Sequence, residues 1–549
     1  MKSVLAGVVF LISMPGAVFA QTAGTQPRAA TSAPALPTFQ IADVHVSPHH
    51  NAPELDGGLL YGDRYIVHQA TMVDLITAAY GLKPANVQGG PPWLERDRFD
   101  ITAKAPPATP PATLKLMLRA LLADRFHLVL HEGITPMPVY ALSVGDGKLG
   151  LKTSTGDDPA NCHDDAPDAL APAPGAVRNA RLACVHMSME QFADILHDAA
   201  AGYFDYPVVD ATGLKGAYDF KLTWTGRGQL VRAGADGISL FDAVDKQLGL
   251  KLAQRVAPRP VTLVDSVDQK PTPNTPNLAT LLPPLPPAAF EVAVIRPSAP
   301  GSTQANGRVS GGNVDLHNFT LKDIINVAWS FEDSETEMIA NAPKWLDKDR
   351  FDISAKVSNE SISSDAGPAN LSMPVEDLLQ MLRGLLIERF AMRTHMEDRP
   401  ADVYVLTAAN PKLQKTADPA ARTRCKQGPG RDGKDPRITN PVRNRLVTCQ
   451  NITVAQLSEE LQTMASGYIR RPVFDETGLK GEYDLTLSFS GARQSLPAVP
   501  SQQGEATTPN AALSVFDAIT QQLGLKLEQE KRPLQALVID HMEEKPTEN

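Results

Sequence analysis

The stretch Val208 to Trp224, VVDATGLKGAYDFKLTW, returns at Val473 to Phe489 as VFDETGLKGEYDLTLSF, identical at ten of seventeen positions. Two unrelated stretches of ordinary composition would share about one. The chain is therefore a tandem duplication, and its fold must be one that each half can make.

Other pairs recur in the same order. Phe39 and Phe290 each open a short strand, and Thr71-x-x-Asp74 and Thr320-x-x-Asp323 each cap a helix. Trp93 to Lys104, WLERDRFDITAK, matches Trp345 to Lys356, WLDKDRFDISAK. Phe99, Ile101 and Ala103 alternate there with polar residues, as in a half-buried strand. Leu114, Met117, Leu118, Leu121 and Leu122 follow at helical spacing, with Leu378, Met381, Leu382, Leu385 and Leu386 as counterparts. Alternation resumes from Arg125 to His131, and a separate returning strand is expected at Val139. The second half of each copy brings a helix capped at Ser188 or Thr453 and a strand through Tyr218, Phe220, Leu222 and Trp224. A helix capped at Ser239 or Ser514 then ends at Gly249 or Gly524, a favoured C′ residue. Strands are expected at Leu250 and again at Leu263.

The order strand, capped helix, strand, turn, strand describes both Arg98–Val144 and Tyr218–Val267. The expected fold is α+β: two tandem copies, each of two related lobes with helices packed on small, mostly antiparallel sheets. The expected divisions are a leader at 1–20, a flexible linker at 21–37, copy one at 38–269, a Pro-rich linker at 270–288 and copy two at 289–549. Lobes meet near 150 in the first copy and near 415 in the second.

Met1 to Ala20 carries Lys2, an apolar run and Val18-Phe-Ala20, the pattern of a cleaved export signal. Its apolar run is too short to span a bilayer, and no later segment is apolar over eighteen residues. A net charge of -10 argues against a nucleic-acid surface. Four cysteines fit an oxidising, periplasmic or extracellular compartment. Cys162 with Cys184 and Cys425 with Cys449 is the natural pairing of three possible connectivities, worth about 3 kcal/mol per bridge. A zinc site is the rival, but CxxC pairs are absent.

The WLxxDRFDIxAK and MLRxLLxxRF motifs, VVDxTGLxGxYD, QLGLKL and the closing VIDHMEEKPTEN, whose KPTEN matches KPTPN at Lys270, together resemble a family of secreted proteins from soil bacteria built on a domain of unknown function. The resemblance covers both copies. Some members of that family carry the domain outside a membrane-bound metallopeptidase of the sensor type, which implies sensing or binding. The second lobe is also loosely similar to the short N-terminal domain of secretins and TonB-dependent receptors. Neither resemblance supplies catalytic residues.

The loop from Asp210 to Asp219, like that from Asp475 to Asp484, could turn backbone N–H groups toward an anion. The plainer reading is a turn whose glycines supply positive φ. Asp97, Arg98 and Asp100, with Asp349, Arg350 and Asp352, could form a paired-carboxylate site, or an Arg–Asp pair fixing a strand start. His127 and His131, four apart on one strand face, could bind metal, but Ala391 replaces the first beside His395. His68 and His317 correspond and read as structural, while His49 and His50 have no match. Trp93, Trp345, Tyr140 and Tyr404 could line a groove, and more often such residues are core. No cofactor, metal or catalytic residue is assigned.

Three functions remain. The first is a non-enzymatic, exported module binding a small ligand or an envelope protein, whose duplication offers avidity. The second is a secreted hydrolase with scattered residues, and the third a structural protein pairing edge strands with partners. Asp100, His131, Lys215 and Asp265, with Asp352, His395, Lys480 and Asp540, are the candidate binding residues. Their convergence in one concave pocket would favour an enzyme.

Overall fold

A computed structural model describes residues 36–48, 55–155, 159–164, 177, 179–285, 288–299, 301, 304–310, 312–331, 338–357, 373–430, 434–440, 442–492 and 512–548. The leader at 1–20, most of the linker after it, and His49 and His50 lie outside these residues.

The alternating run after Trp93 forms β5 of the first lobe. That lobe contains β1 (Ile41–Val46), β2 (Asp56–Tyr61), β3 (Arg64–Thr71), α1 (Met72–Tyr80), β4 (Val87–Gly89), β5 (Arg98–Lys104), α2 (Pro111–Phe126) and β6 (Val129–Val144). Thr71 and Asp74 complete a capping box that starts α1. The sheet order is β1-β5-β3-β2. Phe99, Ile101 and Ala103 turn inward onto Leu118, Leu122 and Phe126 of α2.

The second lobe repeats the series with β7 (Lys152–Thr153), β8 (Asn161–Asp164), β9 (Asn179–Met187), α3 (Met189–Ala199), β10 (Val208–Asp210), β11 (Tyr218–Thr225), α4 (Leu240–Ala243, extended by a π turn to Leu248) and β12 (Leu250–Ser266). Its order, β7-β11-β9-β8, is that of the first lobe position for position. Disulfide Cys162–Cys184 joins two directly opposed residues of β8 and β9.

The last strands of the two lobes build a third sheet, β10-β6-β12-β4. Strands β6 and β12 pair antiparallel along nearly their whole length. Each then carries the short parallel strand of the other lobe: β10 lies on β6, and β4 on β12. The lobes thus exchange strands. Leu128 and Val264 fall in the first core, whereas Tyr140, Leu142, Leu250 and Leu252 fall in the second.

The second copy follows the same plan. It comprises β13 (Phe290–Pro297), β14 (Asn306–Ser310), β15 (Asn313–Thr320), α5 (Leu321–Ala328), β16 (Ile339–Ala340), β17 (Arg350–Val357), α6 (Val375–Arg389), β18 (Arg393–Ala408), β19 (Gln414–Lys415), β20 (Arg424–Gln427), β21 (Arg445–Ile452), α7 (Val454–Met464), β22 (Val473–Asp475), β23 (Tyr483–Phe489), α8 (Val515–Ala518, extended to Leu523) and β24 (Leu525–His541). Its central sheet is β16-β24-β18-β22. Cys425–Cys449 is the second disulfide.

One expectation is corrected here. The separate strands expected near His131 and Val139, and near Leu250 and Leu263, are single strands of 16 and 17 residues. Both strands carry prolines midway along their length. Pro136 stands opposite Pro258, and both share the parity of Tyr140, whose N–H points away from β12 to Pro207 O. At such positions proline removes no bond between the two strands.

Every lobe also contains the same β-bulge. Gln69, His186, Asn318 and Asn451 adopt left-handed φ of 55°, 50°, 62° and 52°, each two residues before a helix cap. Their N–H groups donate to Asp100, Asp219, Asp352 and Asp484 at 2.9, 2.9, 2.8 and 2.8 Å. The aspartate after the aromatic residue in RFDI and in GxYD is therefore one structural device in four settings. Asp352→Ala leaves the Asn318 N–H without its acceptor at a strained residue, and should lower stability by about 1–3 kcal/mol in urea unfolding. Asp352→Asn, which keeps an acceptor, should lose less.

The closing KPTxN motif has a role as well. Arg125, 7% exposed, donates to Thr272 Oγ1 and O and to Asn274 Oδ1, and Arg389 repeats this on Thr547. The motif straps the end of each copy to its first lobe.

Candidate functional site

The eight shared polar residues separate into pairs and single positions. His131 Nδ1 meets Asp265 at 2.7 Å, and His395 Nδ1 meets Asp540 at 3.0 Å, across the exposed ends of the long ribbons. Asp100 and Asp352 are held in their bulges. Lys215 and Lys480 are exposed in turns, where their carbonyls accept from Tyr218 and Tyr483. His127 is not on the strand face of His131. It caps α2 with φ 47° and pairs with Asp268 at 2.8 Å. Arg98 and Asp100 converge on the peptide groups of Gln69, Arg98 through its O and Asp100 through its N–H. Tyr140 is core, and Trp93, Trp345 and Tyr404 pack against cores. Among the described residues, no three His, Cys, Asp or Glu side chains gather as metal ligands.

What the structure does bring together is the two copies. Arg422, 8% exposed, donates to Val87 O at 3.0 Å, to Gly89 O at 2.7 Å and to Glu95 at 3.0 Å. Thr423 N–H reaches Pro92 O, and Arg424 also faces Glu95. Arg437 bridges Asp435 of its own copy at 2.8 Å and Asp205 of the other at 2.5 Å. Tyr206 donates to Pro429 O at 2.6 Å, and Lys426 lies over its ring. Asp56 accepts the Val375 N–H at the start of α6, capping a helix of the other copy.

Beside this contact lies a cleft of about 650 Å³ with walls from both copies. Copy one supplies Ser47, Pro48, Gln69, Arg96 and Arg98 at the end of its first sheet. Copy two supplies the outer face of α7 and four consecutive residues, Pro472 to Asp475, of β22 and its approach. Arg96 crosses the cleft to Glu459 at 2.7 Å and Glu460 at 2.8 Å.

The family model described as "Protein of unknown function (DUF3738)" matches residues 73–267 and 322–542. The chain belongs to the DUF3738 family. Each match runs from the first helix of a copy through its last long strand, so the exchanged-strand unit is the DUF3738 repeat. No curated protein and no solved structure matches the chain.

Next to the cleft, the first DUF3738 copy holds a charged cluster. Burial acts to raise the Asp100 pKa, but His68, Ser47 Oγ and the Gln69 N–H outweigh it and bring it to about 2. The Asp100 carboxylate, 3.8 Å away, raises the His68 pKa against the opposing effect of burial. Burial, reinforced by Asp56, raises that of Asp377 on α6. The Asp100 contribution to stability is present above its ordinary pKa of 3.8 and is lost as pH falls toward 2. That of His68 is complete below 6.5 and is lost as pH rises through its raised value. Urea midpoints of wild type and His68→Gln should therefore differ most between pH 4 and 6.5 and converge as pH rises through the raised His68 pKa.

Several of the junction residues differ between the two copies. Arg96 corresponds to Lys348, Glu460 to Ile195, and Arg422-Thr-Arg424 precedes Cys425 where Ala160-Asn161 precedes Cys162. The matches between copies mark the scaffold. These mismatches, which sequence reasoning passed over, fall where the copies meet.

Proposed function

We propose that this DUF3738 protein is an exported, non-enzymatic binding module of the cell envelope whose ligand or partner sits in the cleft between its two copies. The observation that carries this reading is a cleft walled by both copies beside a buried arginine network that fixes them together. Such a cleft needs no motion to form, and preorganisation favours binding. The leader and two disulfides support export. The scatter of the shared polar residues supports binding over hydrolysis. So does the engagement of the cleft carboxylates, with Glu459 and Glu460 on Arg96 and Asp475 in its own turn with Thr477. The looser resemblance to secretin and TonB-receptor N-terminal domains points to an envelope partner.

Ala455, exposed on α7 at the cleft wall, gives the test. Ala455→Trp should fill the cleft without disturbing a core. Wild-type protein should retain a component of envelope extract that the variant, melting at the same temperature, does not. Equal retention by both would contradict the reading.

A further inference from the structure

We infer that the ligand is an extended peptide of neutral or basic character, added as a further strand to the outer edge of β22. This rests on the cleft reading above and specifies its ligand. Side chains of a strand alternate between its faces, so four consecutive residues line one cavity only where the cavity abuts the strand's edge. Pro472 to Asp475 do so. Strand β22 is the outermost of its sheet, paired in parallel with β18. Pro472 O accepts from Tyr404 N, and Glu476 N donates to Leu406 O, both at 2.9 Å. These even-numbered residues face β18, which turns the N–H and C=O groups of Val473 and Asp475 outward, into the cleft.

An open strand edge is satisfied by another strand, and main-chain bonds then supply affinity without demanding one sequence. Three residues of β22 span about 10 Å, which suits a peptide of roughly five residues with its ends over the flanking walls. Glu459, Glu460 and Asp475 face the cleft against Arg96 and Arg98, so the lining carries one more carboxylate than guanidinium. That balance disfavours an acidic peptide. The chain itself offers a parallel in the first copy. There, just before the matching strand β10, the Tyr206 hydroxyl donates to Pro429 O and Gly430 O and the Asp205 carboxylate accepts from Arg437, all from the other copy.

The test is panning of a linear heptapeptide phage library on the full chain, followed by binding of the synthesised peptides to three proteins. Val473→Pro removes one outward N–H while sparing the bonds to β18, and Ala455→Trp fills the cleft. The inference expects enriched peptides that bind wild type and weaken at least tenfold with either variant. It also expects a tenfold loss when alternate peptide amides are N-methylated, a readout that requires no change in the protein. Peptides lost with Ala455→Trp but indifferent to both Val473→Pro and N-methylation would overturn strand addition and leave the cleft reading intact. Failure to enrich any peptide, alongside Ala455→Trp-sensitive capture from envelope extract, would do the same. Peptides that bind Ala455→Trp as well as wild type would overturn the inference, and loss of the extract capture would overturn the cleft reading itself.

Discussion

Arg437→Ala is expected to lower the unfolding free energy by about 3–5 kcal/mol, the range for removing one partner of a buried ion pair. Its guanidinium meets Asp435, whose side chain is 3% exposed, and Asp205, at 13%. Burial opposes the charge on Arg437, yet the two carboxylates outweigh it and raise its pKa further. Without it, Asp205 loses this cation and Asp435 retains Arg227, at 3.3 Å. The loss should appear as a lower urea midpoint and as separation of one thermal transition into two, because the network spans both copies. Arg399→Ala, which breaks a partly exposed pair with Glu397 within one strand, should cost under about 1 kcal/mol. Similar losses for the two variants would mean that the junction is solvated.

Gly524→Ala should cost about 3–4 kcal/mol, against about 1–2 for Gly478→Ala. Both glycines have φ of +66°, so both substitutions carry the left-handed penalty of about 1–2 kcal/mol. Around Gly478 nothing lies within 4 Å of the added carbon. At Gly524 the carbon would overlap the carbonyl oxygen of Asn410. Relief would disturb the bonds from Asn410 N to Gly524 O and from Lys412 N to Leu523 O, worth about 1 kcal/mol each. Comparable midpoint shifts would show that the turn after α8 accommodates a side chain. The comparison also explains why the two glycine motifs recur: TGLKG needs a conformation, whereas QLGL needs both a conformation and space.

Much of the fold is legible in the sequence because local rules act within single elements. Alternation placed Phe99 and Ile101 inward, and the Thr-x-x-Asp and Ser-x-x-Gln pairs became capping boxes. The disulfides pair as spacing suggested. Length of strand was not legible, since proline reads as a breaker until the direction of its missing N–H is known. Nor was strand exchange, because β4 and β10 are three residues each and pair with strands far along the chain. The cleft was least legible. Arg96, Glu459 and Glu460 look like solvated surface charges until copy two is set against copy one. Shared residues drew attention instead, and the most regular of them, Asp100, Asp219, Asp352 and Asp484, hold the backbone.

The most direct test is a double-mutant cycle between Asp205 and Arg437, read by urea unfolding. These residues are 232 apart in the chain and meet only if the copies dock as described. Asp205→Ala, Arg437→Ala and the double variant should give a coupling of about 1.5 kcal/mol or more, as for other close, desolvated charge pairs. A coupling within error of zero would contradict the docked arrangement, and with it the cleft.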